Sequence, residues 1–176
     1  MEICDISEEN NKSLIRLLEN SFPTKLKSLH FESSAKCKID YYMKALSTKC
    51  LPIVVDTVTI NGWMMWSSCL NEIVKSCYQC QTLWISYWKI TNDNSFDFKI
   101  NKPYNISSIN FIGTGSVYYS DWNKNSIQFK SILKAMAKSG LLKSLKMISL
   151  MDWGIKQSEA KTFAAELGMD EVQFVV

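Results

Sequence analysis

Arginine and histidine are almost missing from this chain of 176 residues, which has one of each, Arg16 and His30. The formal net charge is only +3. Arginine supplies the planar fork that binds phosphate and guanine through two parallel hydrogen bonds, so its scarcity argues against nucleic-acid recognition. Aromatic side chains, 12% of the residues, could stack on bases, but such a site also needs a positive groove. We therefore expect no nucleic-acid partner.

The chain also lacks a long apolar run, and its first residues do not resemble a leader sequence. No stretch approaches the ~20 apolar residues that span a bilayer. The first residues, MEICDISEENNK, are acidic and polar, unlike a secretory or transit signal. We expect no membrane span and a reducing, cytoplasmic location, with a mitochondrion or a cilium left open. In such a compartment the six cysteines should be buried thiols and not a disulfide framework.

Signals for catalysis or metal binding are incomplete. Cys77 and Cys80 have the C-x-x-C spacing of a redox pair or half a zinc site, but no second close pair accompanies them. Cys77 also falls at the end of a predicted helix, where the dipole does not favour a thiolate. The segment Gly113–Ser116 lacks the remaining glycine and lysine of a phosphate loop. We expect no catalytic residue, cofactor, metal or small-molecule substrate, and keep an enzyme that uses these segments as the least favoured alternative.

One short apolar phrase recurs from end to end. It reads Leu26-x-x-Leu29-x-Phe31, Val55-x-x-Val58-x-Ile60, Cys80-x-x-Leu83-x-Ile85, Ile106-x-x-Ile109-x-Phe111, Leu142-x-x-Leu145-x-Met147 and Met169-x-x-Val172-x-Phe174. The fourth positions (29, 58, 83, 109, 145, 172) are spaced by 29, 25, 26, 36 and 27 residues. These phrases are rich in residues that favour strands. A period in this range is typical of solenoids, whose repeats stack in chain order.

Segments with helical periodicity lie between the phrases. Apolar residues spaced three and four apart place one apolar stripe on a helix. The stripes are Leu14, Leu17 and Leu18; Ile39, Tyr42, Met43 and Leu46; Leu70, Ile73, Val74 and Cys77; Phe129, Ile132, Leu133 and Met136; and Ala160, Phe163, Ala164 and Leu167. Pro23 and Pro52 should stop the first two helices, and Gly140 and Gly168 should cap the last two. Residues 90–104 have no such stripe, so we predict an extended return there.

This combination resembles the leucine-rich repeat family, and the helical returns are similar to its ribonuclease-inhibitor-like subclass. The resemblance covers nearly the whole chain, which we treat as one domain, 1–176. Residues 1–25 would form a leading helix or N-terminal cap, and residues 26–176 about six strand-containing repeats. The resemblance implies an α/β solenoid with a curved parallel sheet on the concave face, helices on the convex face, and a protein-binding role. It does not imply catalysis.

Aligning the phrases places three columns of residues on the predicted concave face. The column before each central apolar residue is mostly serine and threonine, whose hydroxyl groups suit stacked strands. Its members are Ser28, Thr57, Thr82, Ser108, Ser144 and Glu171. The next two columns contain Trp84, the strongest candidate for a binding anchor, and an apolar patch towards the C-terminal end. The predicted partner-binding residues are Trp84, Asn110, Ile112, Lys146, Ile148, Gln173 and Val175.

The sixth predicted strand has no capping helix after it, and an uncapped strand exposes hydrogen-bonding groups. We therefore expect one or more other protein subunits or a second copy to cover the concave face or this edge, with downstream sequence as a third candidate for the edge. The function that we predict is a non-enzymatic interaction module, an accessory or structural subunit of a larger assembly. A substrate-recognition adaptor of the leucine-rich-repeat type is the alternative.

Overall fold

The computed structural model describes residues 2–3, 16, 26–32, 55–62, 67–87, 95–113 and 122–176. The strands are β1 Glu2–Ile3, β2 Leu26–Glu32, β3 Val55–Gly62, β4 Thr82–Tyr87, β5 Ser108–Gly113, β6 Met147–Met151 and β7 Gln173–Val175. The described helices are α1 Ser67–Ser76, α2 Trp122–Ser139 and α3 Gln157–Glu166, with a short 3-10 helix at Leu141–Lys143.

All of these strands belong to one sheet, in which they lie in chain order from β1 to β7. Every neighbouring pair is parallel. Parallel neighbours need a crossover connection, and this explains why helical or extended segments separate the apolar phrases. The predicted α/β class and single parallel sheet are confirmed. The two-residue β1, which pairs with β2, was not predicted.

The register of the first four long strands follows the predicted alignment. Leu29, Val58, Leu83 and Ile109 are consecutive partners across β2 to β5. All four side chains are buried, as are those two residues further on, Phe31, Ile60, Ile85 and Phe111. Because side chains alternate between the faces of a strand, this pattern places one face of the sheet in the core.

The predicted register of the last two strands is wrong. Ile109 pairs with Ile148 and not with Leu145, and Ile148 pairs with Phe174 and not with Val172. The residues after Gly140 form the 3-10 helix, and the amide of Leu145 donates to the carbonyl of Leu141 at 3.2 Å. Leu145 is therefore buried in the turn before β6. The strand starts later than the apolar phrase indicated.

The three described helices coincide with predicted apolar stripes. The stripe residues Leu70, Ile73, Phe129, Ile132 and Ala160 are all 0% exposed. Gly140 and Gly168 have φ of 79° and 66°, so both adopt the left-handed conformation expected beyond a helix end. The first two predicted helices and their proline stops lie outside the described residues, except that Arg16 is helical.

Residues 95–107 contain no helix or strand, and exposure alternates along residues 95–100, in agreement with the extended return predicted for 90–104 as far as that range is described. The Asn71 side chain of α1 holds this segment: its Nδ2 donates to the Ser95 carbonyl at 3.1 Å, and its Oδ1 accepts from the Asp97 amide at 2.8 Å. The Tyr104 hydroxyl donates to the Phe98 carbonyl. The start of the return is therefore held by α1, and Tyr104 satisfies a backbone carbonyl within the return.

The helices and the inward-facing strand residues form one buried cluster, so the described helices lie on that side of the sheet. Aromatic rings fill its C-terminal part. Trp153 packs edge-on against Phe111 and Phe129, with ring centroids 5.8 and 6.1 Å away, and Phe129 also meets Phe174 at 6.4 Å. The other face of the sheet receives none of these side chains.

Candidate protein-interaction face

One face of the sheet packs against the helices, and we call the opposite face the second face. It consists of the strand residues that lie between the buried, core-facing positions of each strand. The pairing of β3 to β7 places them in three rows. The rows contain Thr57, Thr82, Ser108, Met147 and Gln173; Thr59, Trp84, Asn110, Ser149 and Val175; and Asn61, Ser86, Ile112 and Met151.

No position of the second face from β3 to β7 carries an ionisable side chain, although charged residues make up 21% of the chain. The described rows continue onto β2 with Ser28, His30 and Glu32, so the ionisable residues are confined to one end. Over most of its width the face is built from hydroxyl, amide, thioether, aliphatic and indole groups.

The hydroxyl column is confirmed for its first members. Thr57 pairs with Thr82, and Thr82 with Ser108. The Ser108 hydroxyl accepts a hydrogen bond from Asn110 Nδ2 at 3.3 Å. Beyond β5 the column continues as Met147 and Gln173, because the late start of β6 moved Ser144 into the preceding turn. Short side chains in register let parallel strands approach without crowding.

Trp84 and Asn110 are adjacent in the central row, as predicted, but they differ in exposure. Trp84 is partly exposed, whereas Asn110 is 3% exposed and its neighbour Ser149 is 6% exposed. Both polar side chains are short and are flanked by larger residues in the same and adjoining rows, so solvent reaches little of them. Asn110 therefore lies on the predicted face but offers little surface to a partner.

The C-terminal part of the second face is apolar. Ile112 is partly exposed, and Met151 and Val175 are exposed by 48% and 41%. Ile112, Gln173 and Val175 were predicted for this face and lie on it. Met147, Ser149 and Met151 were missed. A second match to the phrase, Leu145-x-x-Ile148-x-Leu150, would have identified them.

Two predicted site residues do not belong to the second face. Ile148 is 0% exposed and lies in the core, beside Ile109 and Phe174. Lys146 is exposed, but it precedes β6 and lies two residues before Ile148, so by alternation it falls on the core side of the sheet and not on the second face. The register of β6 moved by three residues, and an odd shift exchanges the two faces of a strand. In β7 the shift is two residues, and Gln173 and Val175 therefore keep their face.

The C-x-x-C pair is buried in the core at the end of α1. Cys77 and Cys80 are free thiols, 1% and 0% exposed. A hydrogen bond with Cys80, together with burial, raises the pKa of the Cys77 thiol well above its ordinary value. A thiol with a raised pKa stays protonated and is a poor nucleophile or metal ligand at neutral pH. This electrostatic environment is the reverse of what a redox cysteine needs.

Other chemical signals are weak in the described part of the chain. Gly113 ends β5, and Thr114, Gly115 and Ser116 lie outside the described residues, so the predicted turn there is not tested. Within the described residues, no three side chains of His, Cys, Asp or Glu are grouped so that they could hold a metal ion. Among the described helices, none is both long enough and apolar enough to cross a membrane.

The second face is thus the one extended surface of the described chain that brings several predicted site residues together. Comparison of the sequence with protein-family models, and of the chain with curated proteins and solved structures, finds no match.

Proposed function

We propose that this chain is a non-enzymatic protein–protein interaction module of the leucine-rich-repeat type, which binds a partner subunit through the second face. The observation that carries the proposal is the composition of that face: it is uncharged from β3 to β7 and ends in exposed Met151 and Val175. Exposed apolar groups beside polar ones are typical of contact surfaces.

The order of the strands supports a repeat architecture. Strands in chain order, all parallel, with the described helices on one side of the sheet, are what stacked strand-and-return units produce. In such an array the sheet face without helices is the extended binding surface. Trp84 is the expected anchor, because a partly exposed indole buries a large area on binding.

An accessory or structural subunit is the favoured role within this class. The adaptor role would use the same face for a client and would need a separate docking surface as well. Among the described residues the second face is the single extended uncharged surface on the sheet, and this favours the simpler role of one subunit bound to another.

The test is affinity isolation of the full chain from its native source, with the co-purifying proteins identified. Met151→Glu and Trp84→Asp place a charge on the second face and should abolish retention of the partner. Ile127→Glu is the matched control, because Ile127 is an exposed aliphatic residue of α2, 59% exposed, on the helical side of the sheet.

Partner retention that survives both second-face variants would contradict the proposal. The enzymatic alternative predicts a different result. A Cys77→Ser, Cys80→Ser double variant that stays folded should then lose function, while it should retain its partner if the chain is an interaction module. Circular dichroism of each variant establishes that the fold is intact.

A further inference from the structure

The second face of one molecule suits the second face of another. Two like surfaces brought together repel each other wherever both carry ionised groups of one sign. The second face carries no ionisable side chain from β3 to β7. It can therefore meet a copy of itself without like-charge repulsion, which is not true of a surface rich in lysine or glutamate.

Its hydrogen-bonding groups are also self-complementary. Serine, threonine, asparagine and glutamine side chains each donate and accept hydrogen bonds, whereas lysine only donates and an ionised carboxylate only accepts. From β3 to β7 the polar positions of the second face are all of the first kind, apart from the donor-only indole of Trp84. Apart from Asn110 and Ser149, which are buried, these amide and hydroxyl groups can find partners in like groups on the opposite molecule.

From these two properties we propose that a second copy of this chain docks on the second face and forms a face-to-face dimer. The inference rests on the proposed function in one respect, namely that the second face is a protein-binding surface. The inference identifies the partner that this face binds as another copy of the same chain.

The size of the face sets the expected strength of the dimer. Five strands about 4.8 Å apart and three rows of side chains cover roughly 500 Å² per molecule. Two copies would bury about 1,000 Å² in total, at the lower end of specific protein interfaces. We expect a reversible dimer with a dissociation constant in the micromolar range, not a permanent one.

The centre of the uncharged area is β5, so we place the two-fold axis over this strand and along it. The axis then sets β4 of one molecule opposite β6 of the other. Trp84 then lies opposite Ser149 of the second copy, between the thioethers of Met147 and Met151 on the same strand. Sulfur–aromatic contacts of this kind add to the burial of apolar area.

The experiment is sedimentation velocity of the purified full chain between about 5 and 500 μM. The wild-type chain should pass from monomer to dimer over this range, and its dissociation constant should change less than about two-fold between 50 and 500 mM salt, because no exposed ion pair is involved. Met151→Glu should weaken the dimer about 100-fold or more. Ile127→Glu should leave it unchanged.

Thr59→Glu provides a second, independent position on the second face, on β3, in case Met151→Glu fails to fold. A chain that stays monomeric at 500 μM would overturn the proposal. Equal weakening by Ile127→Glu and by both second-face variants would overturn it too, because the dimer would then not use this surface specifically.

These outcomes are distinguishable from failure of the proposed function. If the chain is monomeric and its Met151→Glu variant no longer retains a different protein in affinity isolation, the proposed function stands and the dimer proposal is contradicted. If Met151→Glu weakens the dimer but leaves retention of a different protein partner unchanged, the dimer proposal stands and the proposed function is contradicted.

Discussion

At the scale of single residues, Cys77 shows how burial and one neighbour determine the chemistry of a side chain. Its thiol is enclosed in the core and hydrogen-bonded with Cys80, which holds its pKa well above the ordinary range. The folded chain therefore binds the thiol proton more tightly than the unfolded chain does. Stability from this source is complete below the unfolded thiol pKa, about 8.5, and falls as the pH rises beyond it.

We predict that the free energy of unfolding declines between pH 8 and pH 10. Cys77→Ala should decline less over the same interval, because the variant has no thiol to titrate at that position. Cys80→Ala should also decline less, because it removes the main cause of the raised pKa. Urea denaturation at a series of pH values measures these slopes, and equal slopes in all three proteins would contradict the pKa direction.

Gly113 illustrates a residue that tertiary packing requires. A Cβ atom at this position would lie 2.5 Å from the carbonyl oxygen of Asp152 and 3.4 Å from Cδ1 of Trp153. The backbone at the end of β6 is the obstacle, and backbone cannot move aside as a flexible side chain can.

We predict that Gly113→Asn destabilises the fold by about 1–3 kcal/mol or more, through forced displacement of packed backbone. Gly140→Asn is the matched control. Gly140 has φ of 79°, but a Cβ atom added to it would meet no atom within 4 Å apart from those of its own chain neighbours, and asparagine tolerates the left-handed conformation. Its cost should stay below about 1 kcal/mol. Equal midpoints of chemical denaturation for the two variants would refute this explanation.

At the scale of elements, the return between β4 and β5 replaces a helix with an extended segment that still contributes to the core. Phe98 is 0% exposed, while Phe96, whose ring centroid is 6.3 Å away, is partly exposed. Asn71 fixes the start of this segment, and Lys75 forms an exposed ion pair of 3.3 Å with Asp97. Exposed pairs contribute little, so Phe98 and the Asn71 hydrogen bonds should dominate its stability.

We predict that Phe98→Ala destabilises the chain by about 3–5 kcal/mol, as expected for a fully buried phenylalanine. Phe96→Ala should have a smaller effect, because part of its ring is already exposed to solvent. Thermal or chemical denaturation followed by circular dichroism measures both. If the two variants lose the same stability, the extended return does not pack on the core in the way described.

At the scale of the whole molecule, register decides which residues the sheet presents to a partner. The register observed for β6 buries Ile148 and leaves Met147 partly exposed on the second face. The register predicted from the apolar phrase would bury Met147 and expose Ile148. The two arrangements therefore predict opposite results for the same pair of substitutions.

We predict that Ile148→Asp unfolds the chain. It removes a buried aliphatic side chain, worth about 2–5 kcal/mol, and places a carboxyl group in the core. Met147→Asp should remain folded, with a loss of about 1 kcal/mol or less, as is usual for a surface change. Circular dichroism of the two proteins tests this directly. A folded Ile148→Asp variant beside an unfolded Met147→Asp variant would reverse the register and the proposed face.

The sequence by itself determined the alternation of strands and helices, the parallel sheet and the alignment of β2 to β5. These depend on local periodicity: the stripe of α1 and the phrases around Leu29, Val58, Leu83 and Ile109 each specify one conformation and one inward side. It also indicated most of the second face, since Trp84, Ile112 and Val175 follow from alternation once a strand is placed.

Only the tertiary structure decided where β6 and β7 begin, which surface Ile148 and Lys146 occupy, and why residue 113 is glycine. Two overlapping apolar phrases compete around Leu145, and local preference does not separate them. A 3-10 helix of three residues follows Gly140, and β6 therefore forms from the later phrase, Leu145-x-x-Ile148-x-Leu150. The exposure of Asn110 likewise depends on neighbours from other strands, which are far from it in the sequence and adjacent only in the sheet.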